Sequence, residues 1–236
     1  NYVLPPGVSR QTDPGQAQLI AQNEQAMVLR VQDLSPQDAR AVYKNVSYDM
    51  RNYKRLQMFV HAEKMNELDN NLQDGDLSCF IRLGSDLKYN YYEYEVPLSI
   101  TPERLYNNDN PQDRLAVWPA ENMIDFSFSV LTDAKAARNK AKRAGNTDVG
   151  NNIPYVVYDT EDGKLQNKIT ILGNPTLEEV DHIMIGIRNT GSHKASGEIW
   201  VNELRLSEFN EQGGVAAMAN ASLAVTDIAQ VNVAGK

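Results

Sequence analysis

The sequence predicts a mainly β protein: a jelly-roll-type β-sandwich with one α-helix, followed by the start of transmembrane β-barrel strands. Three observations predict it. Short segments alternate apolar and polar residues along most of the chain, the period of a pleated strand with one face buried. A single segment carries apolar residues at helical spacing instead. Beyond the last sandwich strand the alternation resumes, over a length that suits a tilted bilayer crossing.

Residues 1–25 read as an irregular lead-in, because Pro5, Pro6, Gly7, Pro14 and Gly15 break any periodicity. The sandwich domain is expected over 26–209. Its first strand is "AMVLRVQDL", with Met27, Leu29 and Val31 on one face, and "ARAVYKNV" is a second, short strand. In "YKRLQMFVHAE", Leu56, Met58, Val60 and Ala62 face one way and Gln57, His61 and Glu63 the other, with Phe59 on the polar side. The strand "SCFIRLGSD" follows the turn "DNNLQDGD". In "NYYEYEVPLSI", Tyr92, Tyr94, Val96 and Leu98 oppose Tyr91, Glu93 and Glu95, and Pro97 marks an edge or a strand end.

Residues 101–122 read as a long polar connection, and "MIDFSFS" as a short strand. The period then changes. In "SVLTDAKAARNKAKRAG", Val130, Leu131, Ala134, Ala137, Arg138 and Ala141 recur at helical spacing. Ser127 or Ser129 caps the start, Lys140, Lys142 and Arg143 suit the exposed carbonyls of the last turn, and Gly145 stops it. "IPYVVYD" and "KLQNKITIL" flank "TEDG" as a hairpin, "GNPTLEEVD" reads as a turn with a short helical segment, and "HIMIGIRN" puts Ile183, Ile185 and Ile187 on the core side. In "GEIWVNELRL" the parity slips: Ile199 and Val201 are odd, Leu204 and Leu206 even, so a bulge is expected at Asn202-Glu203.

The tail, 210–236, reads as a barrel-strand hairpin. Val215, Ala217, Ala219, Ala221, Leu223 and Val225 form an apolar row expected to face the membrane, opposite Asn220, Ser222 and Thr226, with Met218 as the exception. A turn at Asp227 opens a second alternating run through Ala229, Val231 and Val233.

Of 236 residues, 42% are hydrophobic and 23% charged, which favours a folded core over disorder. Tyrosine, with 11 copies against 2 Trp and 5 Phe, suits half-buried strands. The net charge of −8 argues against nucleic acid or an anionic lipid surface as partner, since both need a basic footprint. The lone Cys79 forms neither an internal disulfide nor a cysteine zinc site and reads as a small buried residue. "NYVLPPGVSR" lacks the basic start and apolar run of a signal peptide, and no apolar stretch reaches the ~18 residues of a membrane helix.

Catalytic signatures are missing from the sequence. His61, His182 and His193 lack metal-ligand spacing, and no cofactor is expected. "DNNLQDGD" places Asp69, Asn71 and Gln73 like calcium ligands, but Gly75 is one place late and Phe80 stands where a bidentate Glu belongs, so a solvated turn is the better reading. Glu93 and Glu95 look like a solvated strand face. Trp118, Trp200 and Tyr91 are a candidate binding surface, since aromatic faces stack on sugars; core and rim packing is the competing reading.

Several long strings carry a resemblance: "DARAVYKN", "DMRNYKRLQMFVHAE", "IRLGSDLKYNYYEYEVPL", "VWP", "GNPTLEEVDHIMIGIRN" and "GEIWVNELRLSEFNEQGG". They resemble, in this order, the SprA/Sov family, the outer-membrane translocon of the type IX secretion system, linked to gliding motility. The resemblance implies a segment of a far longer protein, in which "GEIWVNELRLSEFNEQGG" leads from an inserted domain back into a barrel wall. It implies a non-enzymatic role at the outer membrane as cap, gate or brace of a channel that exports folded proteins, with other translocon subunits and exported cargo proteins as partners. A carbohydrate-binding module of a cell-surface protein is the alternative.

Overall fold

The computed structural model describes residues 2–8, 26–65 and 71–209, together with the backbone of 221–222. Ten strands and two helices lie within 26–209. The strands are β1 (Met27–Leu34), β2 (Ala39–Tyr48), β3 (Tyr53–Lys64), β4 (Leu77–Gly84), β5 (Tyr91–Pro97), β6 (Ile124–Ser127), β7 (Tyr155–Tyr158), β8 (Lys168–Leu172), β9 (Val180–Asn189) and β10 (Ala195–Phe209). Helix α1 (Pro111–Val117) precedes β6, and α2 (Phe128–Arg143) follows it. A two-residue strand, β11 (Ala221–Ser222), pairs with Arg205 and Leu206 of β10.

Two antiparallel sheets result. The first runs β1-β10-β3-β6, with β11 beside β10; the second runs β2-β9-β4-β5-β8-β7. Their inward rows meet in one core. The first sheet contributes Leu56, Met58, Val60, Ile199, Val201 and Leu206, and the second Ile81, Tyr94, Val96, Ile171, Ile185 and Ile187. No closed barrel is present among the described residues.

The first and last sandwich strands are neighbours. β1 and β10 pair antiparallel from Met27↔Val201 to Leu34↔Ala195. The start of β1 and the far half of β10 therefore lie toward the same end of the sheet. The bulge stands where the parity slips. The β10–β3 register shifts between Asn202↔Phe59 and Arg205↔Gln57, and Glu203 sits at φ 55°, in the left-handed region. The extra residue lets Ile199, Val201, Leu204 and Leu206 all point inward.

Helix α2 has the expected bounds. The Ser127 hydroxyl accepts from the Ser129 amide at 3.3 Å, and Lys140, Lys142 and Arg143 occupy the last turn. It packs against β3, β6 and β8 through Phe128, Leu131 and Ala134. Two positions differ from the expectation. Ala137 faces solvent, and the inward side of that turn is taken by Arg138, whose guanidinium donates to the Gly173 carbonyl at 2.7 Å. Lys135 is half-buried and donates to the Pro175 carbonyl at 2.7 Å. The helix is thus fastened to the β8–β9 loop by two cations as well as by apolar contact.

Other expectations need correction. The chain has two α-helices, not one: α1 interrupts the polar connection 101–122, with Asn110 accepting from the Gln112 amide and Pro111 in the first turn. The segment "GNPTLEEVD" holds no helix; the Thr176 hydroxyl accepts from the Glu178 amide at 3.1 Å in an open turn. β2 is ten residues long rather than short. Pro97 is a strand end, and β5 itself lies inside the sheet between β4 and β8.

Leu131→Asp would strand a carboxylate against the sheets and is expected to cost about 3–5 kcal/mol, whereas Ala137→Asp, on the exposed face, should cost under ~1 kcal/mol. Urea denaturation of the two variants checks this; equal midpoints would show that the helix does not pack by this face.

Candidate functional site

Each sheet carries a polar constellation on its outer face. On the first sheet, cross-strand pairing sets His61 beside Trp200 and Glu63 beside Glu198, and Arg30 of β1 beside Glu198 on the other side. The His61 Nδ1 lies 2.8 Å from the Val117 carbonyl, which only accepts, so Nδ1 carries a proton. The Thr101 hydroxyl approaches the same nitrogen at 3.0 Å, and Nε2 faces Glu63 Oε2 at 3.2 Å. The Trp200 ring lies 4.3 Å from the His61 ring, and its Nε1–H donates to Glu198 Oε1 at 2.7 Å. Arg30 Nε donates to Glu198 Oε2 at 2.7 Å. Burial alone would raise the Glu198 carboxyl, but hydrogen bonds from Trp200, Arg30 and Glu63 outweigh it and hold Glu198 below the ordinary carboxylate range.

An apolar layer covers part of this face. Val3, Val117 and Trp118 are buried there, with Tyr2, Phe59 and Tyr106 packed on them. This accounts for Phe59, the apolar residue on the polar side of β3. The layer stops at His61 and leaves an open cleft of about 590 Å³ between the sheet and the segments 72–74 and 100–106. Trp200 and Tyr106 line it, with Glu63, Asp74 and Glu103 as its acids.

On the second sheet, Glu93 and Glu95 are each only 3% exposed, so the reading of a solvated face is wrong for them. Arg82 donates to Glu93 Oε2 through Nε at 2.9 Å and Nη2 at 2.5 Å. Arg188 bridges both acids, reaching Glu93 at 3.0 Å and also pairing with Glu95. Lys168 Nζ and the Ser78 hydroxyl each approach Glu95 at 2.6 Å. Arg82 stacks on Tyr91 at 3.8 Å and Arg188 on Phe80 at 4.6 Å. Phe80 in turn needs Gly186 beneath it, because a Cβ there would stand 2.3 Å from the ring. Every charge in the cage has a partner, which is the condition under which buried ions are tolerated.

The three candidate aromatic residues do not form one surface. Trp118 is buried, its Nε1–H donating to the Val3 carbonyl at 2.8 Å. Trp200 is half-buried beside it, with ring centroids 6.5 Å apart. Tyr91 is buried beneath Arg82 on the second sheet. Of the calcium-like turn, Asp69 lies outside the described residues; Gly75 turns at φ 83° and Asp76 Oδ2 accepts from the Gln73 amide at 2.9 Å. Among the described residues no three His, Cys, Asp or Glu side chains converge as metal ligands. The histidines stand apart: His182 meets Asn45 on β2, and His193 lies in the β9–β10 turn. Cys79 is buried, and burial pushes its thiol well above the ordinary range. The row Val215, Ala217, Ala219, Leu223 and Val225 lies outside the described residues; of that tail only Ala221 and Ser222 are placed, as backbone of β11.

Sequence reasoning missed the ion cage and the cleft. Arg82 and Arg188 do share outward parity with Glu93 and Glu95, but the signal appears only once β4 is known to lie between β5 and β9. Arg104 and Tyr106, in the cleft wall, lay within what read as plain connection.

Fold and surfaces together define a two-sheet antiparallel β-domain with an aromatic-walled cleft on one outer face and an ion cage on the other. The chain belongs to the SprA_N family of motility related/secretion proteins, whose profile matches residues 1–236. A search of curated proteins finds no match. No helix among the described residues is long and apolar enough to cross a membrane, which says nothing of strands.

The Glu198 carboxyl gives a pH prediction. Its folded pKa lies below that of the unfolded chain, about 4.3 for a glutamate, so its contribution to stability is complete above that value and is lost as pH falls through the folded one. Glu198→Gln should therefore flatten the acid limb of the stability–pH profile, measured by urea midpoints. An unchanged slope would mean that the carboxylate is not held by these donors.

Proposed function

We propose that this chain is the structural domain, a cap, gate or brace, of a very large outer-membrane β-barrel channel that exports folded proteins in type IX secretion and supports gliding motility. One observation carries the step from family to role: β1 and β10, the first and last strands of the sandwich, are hydrogen-bonded neighbours. A domain inserted into a host must enter and leave at nearby points, and this pairing supplies them. The orders β1-β10-β3-β6 and β2-β9-β4-β5, with β7 and β8 added at one edge, support the jelly-roll reading. Internally paired charges on both outer faces suit a rigid brace, and the reading is non-enzymatic. Its partners are other subunits of the translocon and exported cargo proteins.

In this reading the tail returns to the barrel wall, with Val215, Ala217, Ala219, Ala221, Leu223 and Val225 toward lipid. Cysteines placed at 222 and 223 in the complete protein in its membrane should then label unequally with a water-soluble reagent, because successive strand side chains point to opposite faces; equal labelling contradicts the tail assignment.

The role itself is tested by replacing residues 26–209 of the complete protein with a short flexible linker. The expected result is a barrel that still reaches the outer membrane but exports poorly or leaks. Export and gating indistinguishable from those of the parent protein would rule out a cap, gate or brace.

A further inference from the structure

We propose that the cleft on the outer face of the first sheet binds a basic side chain, lysine or arginine, of an extended polypeptide. The argument rests on which polar groups the cleft has left to offer. Its side-chain donors are already spent. Trp200 Nε1–H donates to Glu198 at 2.7 Å, and the Tyr106 hydroxyl to the Pro102 carbonyl at 2.5 Å. Arg104 is turned to Asp113 at 2.7 Å, Gln73 Nε2 donates to the Asn71 carbonyl at 3.1 Å, and Lys64 has an interaction of its own.

What remains is acceptors. Glu103 is exposed on the cleft wall, Asp74 uses only Oδ1, toward the Ile100 amide at 2.7 Å, and the Glu63 side chain is 37% exposed. A ligand for such a cleft is one that only donates. Lysine and arginine have donors and no acceptor, whereas a sugar hydroxyl needs both. The walls add to this preference. Trp200 and Tyr106 present aromatic rings, and the face of Tyr106 already holds the Arg104 guanidinium at 4.0 Å from its centroid. The volume, about 590 Å³, exceeds one side chain and leaves room for the flanking backbone. The net charge of −8 attracts a basic segment from a distance.

That the polypeptide is a translocon partner or exported cargo rests on the function proposed above; the chemistry of the cleft does not. The test uses the 236-residue chain and a capped tetralysine peptide, followed by Trp emission and by calorimetry, with a neutral tetrasaccharide as competitor class. Saturable binding of tetralysine is expected, weakening with added salt. Glu103→Lys, at an exposed position that makes no ion pair, should weaken it about tenfold while leaving the melting temperature unchanged, and Glu103→Gln should weaken it less. No saturable signal up to about 10 mM peptide, equal affinity in Glu103→Lys, or tighter binding of the tetrasaccharide would each overturn the proposal. None of these failures touches the export reading, which the linker replacement tests separately.

Discussion

A single extra residue in β10 decides how the first sheet is built. The strand carries two apolar rows of opposite parity, Ile199 with Val201 and Leu204 with Leu206. A regular strand would bury one row and expose the other, since a one-residue slip reverses every side chain. The bulge at Glu203 reconciles them, and all four end at most 5% exposed. Its geometry has a cost, because a non-glycine residue at φ 55° carries of order 1 kcal/mol of strain. The burial of two leucines, each worth about 1.5–3 kcal/mol, outweighs it.

The same strand organises the outer face. Glu198, Trp200 and Asn202 alternate with the buried row and point away from the core. Glu198 gathers Arg30 and Trp200, Trp200 lies on His61, and Asn202 reaches the Tyr2 hydroxyl at 2.7 Å. The lead-in segment, the α1 connection and the cleft therefore all depend on the side of β10 that faces out. The second sheet solves its outer face differently, with ions instead of an apolar layer. Three cations and two carboxylates are packed among Phe80 and Tyr91, and removing one partner would leave a buried charge uncompensated. Both solutions resist deformation, a property suited to a domain that braces or closes a large pore.

Much of the fold was legible because strands announce themselves by period. The inward rows of β3, β5 and β9 follow directly from alternation, and α2 from the change to helical spacing between Ser127 and Gly145. The bulge was legible for the same reason: a slip in parity within one strand has few physical explanations. Helix α1 was missed because seven residues give too few turns for a period, although Asn110-Pro111 carried its start signal. Glu93 and Glu95 were misread because alternation reports which side a residue faces, not whether that side is wet. The separation of Trp118, Trp200 and Tyr91 was beyond the sequence too, since it depends on which strands are neighbours.

The family places the chain in motility and secretion, and the side-by-side pairing of β1 with β10 explains how such a domain joins a larger wall at one end. Both the pairing and the cleft floor follow from β10 keeping its register through the bulge. The most direct test is therefore at Glu203, a half-buried residue whose replacement changes little of the core. Glu203→Gly should hold or raise the thermal midpoint, because glycine accepts the left-handed backbone freely. Glu203→Val should lower it by the equivalent of about 1–2 kcal/mol, since a β-branched side chain fits that conformation worst. A valine variant as stable as the glycine variant would contradict a left-handed bulge at this position, and with it the account of how β10 serves both faces of the sheet.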